Sequence, residues 1–213
     1  MSFKVIENED LEFFNKILGG NFVVTDPEKL KGNSHDETED LSFFPQVILL
    51  PHTTAEIQKI LSYCNENNIC VTPRGAGTGL SGGSIPFKGG VSLDMKRMNR
   101  IINIDEENFQ VITQPGVITE ELQDAVEAKE LFYPVDPASK GSCFIGGNVA
   151  ENSGGPRAVK YGTVKDYVLG LEIVLSDGRI IRTGTRTLKD ATGYDITHLI
   201  VGSEGTLAVI TEI

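Results

Sequence analysis

The hydrophobic and polar positions of the first forty residues predict one helix and an irregular connection. Asn8 is predicted to be the N-cap of the helix, because two acidic residues follow it in the first turn. Apolar residues then recur at helical spacing, at Leu11, Phe14 and Leu18. A glycine pair ends the helix, and the polar, aperiodic residues 29–40 are interpreted as a surface connection into the main fold.

From residue 44 onward the pattern predicts a strand, a helix and a second strand. Residues 47–50 form an unbroken apolar run, which is typical of a strand buried on both faces. Thr53 and Glu56 predict a capping box, in which each side chain satisfies a free amide at the start of the helix. The apolar stripe of that helix is Ile57, Ile60, Leu61 and Cys64. With a second strand at residues 69–72, the unit has the length and order of a right-handed parallel crossover.

The second half of the chain predicts shorter elements. Strands are predicted at residues 91–94, 101–104 and 109–113, followed by a helix that Thr119 caps and whose apolar positions are Leu122, Ala125 and Val126. Asp177 and Gly178 predict a hairpin with a primed turn, because such a turn needs positive φ angles. Residues 206–213 alternate like a strand that stops within its pattern, which indicates a truncated chain. The change from crossover to hairpins predicts a subdomain boundary near residue 105.

Composition and charge restrict the classes of partner and site that the chain could have. The 213 residues include 23 glycines and 9 prolines and are 39% hydrophobic, which is typical of a globular chain rich in turns. The net charge of −11 argues against a nucleic-acid partner, since such binding depends on Lys and Arg neutralising phosphates. The 3 cysteines form no CxxC pair, so neither a disulfide framework nor a metal site is predicted. The acidic N-terminal segment is unlike a signal peptide, and we expect a cytoplasmic protein, with peripheral attachment at the inner membrane through other parts of a complex as the alternative.

A glycine-rich segment at residues 73–83, PRGAGTGLSGG, follows a predicted strand directly. Glycines leave backbone amides uncovered, so the segment is able to form a concave nest for a phosphate. Thr78 and Ser81 offer hydroxyl donors, and Arg74 offers a local positive charge. Gly77→Val is therefore expected to place a side chain where a pyrophosphate must approach and to abolish retention of the ligand. Residues 77–82 satisfy GxGxxG, but a proline and a strand follow them where the nucleotide fingerprint requires a helix.

A second glycine-rich segment lies at residues 145–155, IGGNVAENSGG. Two such segments, far apart in sequence, indicate a long ligand that is held at two places, because a single phosphate needs only one nest. The alternative is a strand-to-helix turn with a purely structural role.

Four linked motifs carry a resemblance to a known family: PRGAGTGLSGG, DPASKGSCFIGGNVAENSGG, KYGTVKDYVLGLEIVLSDG and GSEGTLAVITEI. Together they resemble the FAD-linked oxidases of the vanillyl-alcohol oxidase type, in the branch of glycolate oxidase subunit GlcD and D-lactate dehydrogenase. The resemblance covers residues 44–213. It implies an α+β fold of the p-cresol methylhydroxylase (PCMH) type, with FAD between two α+β subdomains at residues 44–105 and 106–213. Residues 1–43 would be an N-terminal helix and connection, and the C-terminal substrate or cap domain would be absent.

The resemblance also implies the cofactor-binding residues. The pyrophosphate loop would consist of Arg74, Gly75, Ala76, Gly77, Thr78, Gly79, Leu80 and Ser81. The flavin and its ribityl chain would lie against Ile145, Gly146, Gly147, Ala150 and Gly154, and the adenine against the backbone of Ile210. Phe144 stands where relatives usually have Thr or Ser, so Ser142 is the nearby hydroxyl that remains. Some distant relatives carry a flavin-bonded histidine at the position of Thr78, so noncovalent FAD is expected.

The implied reaction is oxidation of a small 2-hydroxy acid by hydride transfer to flavin N5, with electrons passing on to a quinone, another electron carrier or oxygen. The family places the base in the cap domain, so His52 and His198 are poor candidates, and no metal site is expected. Three further residues are expected near the flavin only because their loop follows the second glycine-rich segment: Arg157, Lys160 and Tyr161. Two alternatives remain open: a non-catalytic FAD-binding or partner-docking subunit of a multi-subunit oxidase, and a nicotinamide dehydrogenase based on GxGxxG alone.

Overall fold

Three sheets organise the part of the chain that the computed structural model describes, residues 3–213. The helices are α1 (Asn8–Leu18), α2 (Pro27–Gly32), α3 (Thr54–Glu66), α4 (Thr119–Glu127), α5 (Ile145–Glu151), α6 (Ala158–Tyr161) and α7 (Ile196–Ile200). The strands are β1 (Val23–Val24), β2 (Val47–Leu49), β3 (Val71–Arg74), β4 (Val91–Asp94), β5 (Ile101–Asp105), β6 (Gln110–Thr113), β7 (Gly170–Val174), β8 (Ile180–Gly184) and β9 (Val209–Glu212). The predicted α+β fold class is confirmed.

The first sheet has the strand order β1-β2-β4-β3. β2 and β3 both pair in parallel with β4, which lies between them, so the predicted parallel arrangement is confirmed. β3 begins at Val71, two residues later than predicted. The capping box of Thr53 and Glu56 is present, and the buried residues of α3 are those of the predicted stripe. β2 is buried along its whole length, as expected of a strand covered on both faces.

α1 packs on α3 through an aromatic and polar cluster. Phe14 is fully buried, and the rings of Phe13 and Tyr63 stack with 3.8 Å between their centroids. Asp10 is also fully buried, and it accepts hydrogen bonds of 2.8 Å from both Lys4 and Tyr63. The predicted N-cap was wrong by one residue: the capping box joins Glu7 to Asp10, because the Asp10 carboxylate also accepts from the Glu7 backbone.

The interpretation of residues 29–40 as an irregular surface connection was wrong for part of the segment, although most of its residues are exposed. Their first part belongs to α2, and Asn33, Ser34 and Asp36 are buried. The amide of Asn33 donates to the hydroxyl of Ser92 on β4 at 3.0 Å, so the segment lies against the first sheet. The segment has no apolar period because it is held by polar contacts, which hydrophobic patterning does not detect.

β7 and β8 form the predicted hairpin, but its turn is of a different type. Gly178 adopts φ +86°, whereas Asp177 is outside the positive-φ region that a primed two-residue turn needs. Leu175 and Arg179 close a three-residue loop through a backbone hydrogen bond of 2.9 Å, and the Asp177 carboxylate accepts from the Arg179 amide. A glycine at the last position is typical of such three-residue loops.

Thr119 does not cap α4, contrary to the prediction, because Ile118 occupies the N-cap position. The Thr119 hydroxyl is buried instead, where it accepts from the amide of Asn148 at 2.6 Å and lies 3.3 Å from the carbonyl oxygen of Cys143. This contact joins the start of α4 to α5 and to the segment that precedes α5.

Two hydrophobic clusters meet at the sheet with the order β8-β7-β9. Val174 and Val209 belong to the cluster that α1, α3 and the first sheet build. Leu171, Ile173 and Ile210 belong to the cluster beneath α4 and α5. The subdomain boundary near residue 105 stays a prediction. Within residues 3–213, no helix is long and apolar enough to cross a membrane.

Ile60→Ala is expected to lower the free energy of unfolding by about 2–5 kcal/mol, because the side chain is fully buried between α3 and the first sheet and its loss leaves a cavity. Urea unfolding followed by circular dichroism measures this change. Lys59→Ala on the exposed side of the same helix is the matched control and should stay within about 0.5 kcal/mol. Equal effects of the two substitutions would contradict the assigned face.

Candidate functional site

The two glycine-rich segments lie beside each other and line one cavity of about 150 Å³. A Cβ atom added to Gly75 would be 3.6 Å from the Cα atom of Gly147, so the two backbones approach closely. β3 ends at Arg74 and delivers the first segment, while α5 begins at Ile145 and carries the second. Segments some seventy residues apart in the chain therefore form one wall.

The cavity brings most of the predicted site residues together. Those in its lining are Arg74, Gly75, Ala76, Gly77, Thr78, Gly79, Gly146, Gly147, Ala150 and Ile210. Those outside the lining are Leu80, Ser81, Ser142, Ile145 and Gly154. The reasons differ: Leu80 projects outward and is 77% exposed, whereas Ile145 is buried in the second hydrophobic cluster. A contact of these five residues with a cofactor stays a prediction.

Glycines of the site have different steric roles. A Cβ at Gly146 would lie 2.4 Å from the Cβ of Pro115, and one at Gly205 would lie 3.4 Å from the ring of Pro73 at a backbone φ of +72°. A Cβ at Gly147 would meet nothing within 4 Å. Gly146 and Gly205 are therefore required for packing and backbone conformation, while Gly147 borders open space in the wall of the cavity.

The guanidinium of Arg74 lies beneath the first glycine-rich segment and is only 7% exposed. It donates to the carbonyl oxygen of His35 at 2.8 Å, to that of Gly32 at 3.1 Å and to the hydroxyl of Ser84 at 3.3 Å. Burial lowers the pKa of Arg74, and the charge of Asp94 opposes that shift. A buried cation is tolerated only when its donors are satisfied, so Arg74 ties residues 32–35 and Ser84 to the end of β3.

The backbone of Gly77 lies directly against this guanidinium. Its φ of +74° strains any residue with a side chain, and an added Cβ would lie 2.1 Å from Nη2 of Arg74. A Gly77→Val side chain would therefore meet Arg74 first, and its contact with a pyrophosphate stays a prediction. The substitution still disrupts the loop, through displacement of its buried support.

Two carboxylates that the sequence interpretation missed also line the cavity: Glu151 at the end of α5 and Glu204 in the loop before β9. The Ser81 hydroxyl lies 3.0 Å from Glu204 and 3.3 Å from both oxygens of Glu151. Gly79 and Gly83 leave room for them, since added Cβ atoms would lie 3.2 Å from Glu151 and 3.1 Å from Glu204. The motif containing Glu204 was identified in the sequence, but nothing in its pattern indicated this contact.

The Ser81 hydroxyl has a single proton, so it donates a hydrogen bond to only one of the two carboxylates at a time. Although Glu151 is exposed as a residue, its carboxyl end lies against the glycine-rich loop. Burial of that end and the neighbouring charge of Glu204 raise the pKa of Glu151, with a further contribution from Asp36, while the Ser81 hydrogen bond opposes the shift. The arrangement therefore makes Glu151 a weaker acid than an ordinary glutamate.

The loop of Glu204 closes the end of α5. The amides of Gly202 and Glu204 donate to the carbonyl oxygens of Val149 and Ala150 at 3.0 and 2.9 Å. Glu204 adopts φ +52°, a conformation uncommon for a residue with a side chain. These bonds satisfy carbonyls that the end of a helix leaves free and hold Glu204 at the cavity.

The histidines that the sequence interpretation set aside lie outside the lining of this cavity. His52 Nδ1 contacts the carbonyl oxygen of Arg97 at 2.9 Å, and His198 contacts Asp195 and the carbonyl oxygen of Lys165. Arg157, Lys160 and Tyr161 also lie outside it, and Arg157 pairs with Asp136 at 3.5 Å. His52, His198 and Arg157 thus contact other groups of the protein and not the cavity.

Comparison with known proteins identifies the family. Residues 45–184 match the FAD binding domain family, which is most of the chain. The chain belongs to this FAD-binding family. FAD is accordingly the cofactor of the fold, and the recognition of an FAD-linked oxidase domain from the four motifs is confirmed.

Curated relatives extend the comparison. The chain is 52% identical over 179 residues to glycolate oxidase subunit GlcD of Bacillus subtilis, covering 84% of this chain and 38% of that protein. It is 41% identical to mitochondrial D-2-hydroxyglutarate dehydrogenase of Danio rerio, covering 100% of this chain and 40% of that protein. For the D-lactate dehydrogenase of Anaerostipes hadrus the identity is 42%, covering 96% of this chain and 43% of that protein. The chain thus spans well under half the length of these relatives.

Solved structures show the same fold. An alkyldihydroxyacetonephosphate synthase superposes with a TM-score of 0.86 at 23% identity, covering 100% of this chain and 40% of that one. A p-cresol methylhydroxylase with substrate bound superposes with a TM-score of 0.79 at 23% identity, covering 96% of this chain and 42% of that one. The predicted PCMH-type fold is confirmed.

The cavity wall fits part of a dinucleotide such as FAD. Main-chain glycine atoms form much of it, and open space beside Gly147 lets a flat or phosphate-bearing group approach the backbone. Its volume of about 150 Å³ is below the ~300–1,000 Å³ of a typical ligand site, so it would accommodate only a portion of such a ligand. No histidine lines the described wall, which is compatible with noncovalent binding.

Glu151→Gln is expected to change how stability depends on pH. The folded chain holds the Glu151 proton more tightly than the unfolded chain, so the natural protein should lose stability as the pH rises from 4.5 through the raised pKa. The glutamine variant has no proton to lose there, so its curve should be flatter and its stability at neutral pH at least as high. Chemical unfolding across this pH range measures the difference.

Glu127→Gln, an exposed glutamate on α4, serves as the control and should keep the slope of the natural protein. Identical slopes for the natural protein and Glu151→Gln would refute the raised pKa.

Proposed function

We propose that this chain is the FAD-binding part of an oxidoreductase that oxidises a small 2-hydroxy acid by hydride transfer to flavin N5. Relatives that match nearly the whole chain are named for glycolate, D-lactate and D-2-hydroxyglutarate. The observation that carries the proposal is the joint cavity of the two glycine-rich segments, with Gly147 facing open space. A single phosphate would need only one such segment, whereas an elongated dinucleotide uses both.

In this proposal the backbone of residues 75–79 approaches the pyrophosphate, and Gly146, Gly147 and Ala150 border the flavin end. Ile210 meets the adenine through its backbone, and the two subdomains divide near residue 105. Arg74 would contribute its positive charge from beneath the loop, because its N–H donors are already hydrogen-bonded to protein carbonyls. Phe144 lines the cavity at the position where relatives usually have the hydroxyl of Thr or Ser, so the flavin would pack against an aromatic ring there.

When bound, FAD supplies the electron-accepting chemistry, and this chain supplies position and exclusion of water. The titratable side chains of the lining are Arg74, Cys143, Glu151 and Glu204. None is an evident base for a hydroxyl proton, because the carboxylates contact Ser81 and Cys143 is buried beside Thr119. We therefore assign the base and the substrate-carboxylate ligands to a cap domain or a partner subunit. The electron acceptor would be a quinone, an electron carrier or oxygen.

The second candidate is a non-catalytic FAD-binding or partner-docking subunit of a multi-subunit oxidase. The cavity lining favours it, since none of its titratable side chains is an evident base for the hydroxyl proton. The two candidates share the same FAD site and differ in whether a hydroxy acid reduces the bound flavin.

A chimera separates these candidates. This chain is joined to the remaining C-terminal part of the Bacillus subtilis glycolate oxidase subunit, its relative at 52% identity. We expect a yellow protein whose flavin absorbance bleaches when glycolate or D-lactate is added without oxygen. The C-terminal part alone is the control and should hold no flavin. A chimera that binds flavin but is bleached by neither acid would favour the docking subunit, and absence of bound flavin would contradict both candidates.

Gly147→Ala is expected to separate FAD binding from folding. The apo protein should be at least as stable as the natural chain, because the new methyl meets nothing within 4 Å and alanine is favoured over glycine in a helix by up to ~1 kcal/mol. FAD affinity should fall by about tenfold or more, a loss of roughly 1.4 kcal/mol, since the methyl enters space that the dinucleotide uses. Thermal unfolding of the apo protein and fluorescence titration with FAD measure the two effects.

Gly146→Ala is the matched control on the neighbouring position. Its methyl would lie 2.4 Å from the Cβ of Pro115, so the apo protein itself should be destabilised. FAD affinity unchanged by Gly147→Ala would argue against the placement of the cofactor at this wall.

A further inference from the structure

The carboxylates of Glu151 and Glu204 face the same point of the glycine-rich loop at the edge of the cofactor cavity. The Ser81 hydroxyl lies within hydrogen-bond distance of both, at 3.3 Å from Glu151 and 3.0 Å from Glu204. A Cβ atom added to Gly83 would also meet both, at 3.5 Å from Glu151 and 3.1 Å from Glu204. The two acidic groups are thus neighbours, and the proposed reaction gives neither of them a role.

The surroundings of this pair are acidic. Asp36, which is buried in the segment after α2, adds a third negative charge that acts on Glu151. In the described part of the chain, residues 3–213, no Lys or Arg side chain forms an ion pair with Glu151 or Glu204. Arg74 lies beneath the same loop, but its donors are directed to two carbonyl oxygens and a serine hydroxyl. The repulsion between the two carboxylates is therefore opposed chiefly by the neutral hydroxyl of Ser81.

The geometry around Ser81 has a place for an added proton. When both carboxylates are ionised, the hydroxyl donates to one of them and its oxygen has no donor from the other. When Glu151 is protonated, its O–H is able to donate to the Ser81 oxygen while the Ser81 O–H donates to Glu204. The protonated arrangement gives all three groups a partner and removes the repulsion between like charges.

An anionic ligand in this cavity would add to the repulsion. Gly79 lines the cavity, and a Cβ atom added there would lie 3.2 Å from Oε1 of Glu151. The carboxylate therefore borders the loop that the proposed function places against the negatively charged pyrophosphate. A negative charge brought near a carboxyl group favours its protonated form, so ligand binding and proton binding at Glu151 should strengthen each other.

We propose that FAD binding to this chain is coupled to the uptake of one proton from solvent by the Glu151 carboxylate, with Ser81 and Glu204 as the hydrogen-bond partners of the protonated group. This coupling rests on the proposed function, because it needs the pyrophosphate at residues 75–79. In the free chain Glu151 is already a weaker acid than an ordinary glutamate, since burial of its carboxyl end and the charge of Glu204 raise its pKa. The pyrophosphate would raise that pKa further.

FAD affinity should consequently fall as the pH rises. Protons are taken up only between the pKa of Glu151 in the free chain, which lies above the ordinary 4.5, and its higher pKa in the complex. Below this window Glu151 is protonated in both states, and above it Glu151 is ionised in both. Within the window the Kd for FAD should rise by up to about tenfold per pH unit, the limit for one proton.

Calorimetric titration of the apo protein with FAD from about pH 5 to pH 8 tests the coupling. Heats measured in two buffers of different ionisation enthalpy give the number of protons taken up for each FAD bound. Glu151→Gln should remove this uptake, bind FAD like the natural chain at the acidic end and bind it more tightly at the alkaline end, because glutamine presents no charge to the pyrophosphate. The exposed Glu127→Gln is the matched control and should keep the uptake of the natural chain.

Three results would overturn the coupling and leave the proposed function intact. One is binding of FAD to the natural chain without proton uptake, and another is equal uptake by Glu151→Gln. The third is weaker binding to Glu151→Gln at every pH, because that result identifies the carboxylate as a direct acceptor of a hydrogen bond from FAD. Absence of FAD binding in all three proteins would contradict the proposed function together with the coupling.

Discussion

Burial of the Arg74 guanidinium is the constraint on which the site depends. A cation taken out of water costs several kcal/mol unless its donors are satisfied, and here the backbone supplies the acceptors. The carbonyl oxygen of Gly32 comes from the end of α2 and that of His35 from the segment after it, and Ser84 directly follows the glycine-rich loop. The loop encloses the side chain so closely that Gly77 has no room for a Cβ. One residue thereby determines the path of three stretches of backbone.

The other half of the site depends on close backbone packing. Pro115 occupies the space beside Gly146, and the Thr119 hydroxyl links α4 to Asn148 of α5. These contacts fix α5 against the second cluster, while Gly202 and Glu204 close its carbonyl end. Gly147 is consequently held at the cavity by its neighbours on both sides. The two glycine-rich segments meet because each is held from behind by its own half of the chain, and glycines of both segments border the cavity between them.

Elements governed by hydrophobic burial were predictable from the sequence. The stripe of α3, its capping box and the buried strand β2 follow from local spacing, and the structure agrees with each. Residues 32–36 were misinterpreted because they are held by a distant arginine, and no local period records that contact. The Glu7 cap and the buried Thr119 hydroxyl were missed for a related reason: several polar residues near a helix start are able to cap it, and packing selects among them.

The glycine content of the two segments predicted a cavity wall made of backbone. It did not predict which glycine borders open space and which is packed against the protein. That distinction depends on what lies behind each Cα atom, and only the folded chain brings Pro115 and Arg74 there. The same holds for Ser81, whose role as a phosphate donor was inferred from its hydroxyl alone. Its contacts are with Glu151 and Glu204, which approach from elements 70 and 123 residues further along the chain.

The charges of the site pose a problem that its geometry helps to resolve. A chain of net charge −11 binds a dinucleotide that itself carries negative phosphates, and two carboxylates line the same cavity. Burial and the neighbouring charge of Glu204 raise the pKa of Glu151, so the wall opposes a second negative charge beside the first. Arg74 adds a positive charge beneath the loop that stays in place because it is bonded to backbone carbonyls. The positive charge of Arg74 beneath the loop and the bare backbone of its glycines would both favour the approach of an anionic ligand, although the protein as a whole repels it.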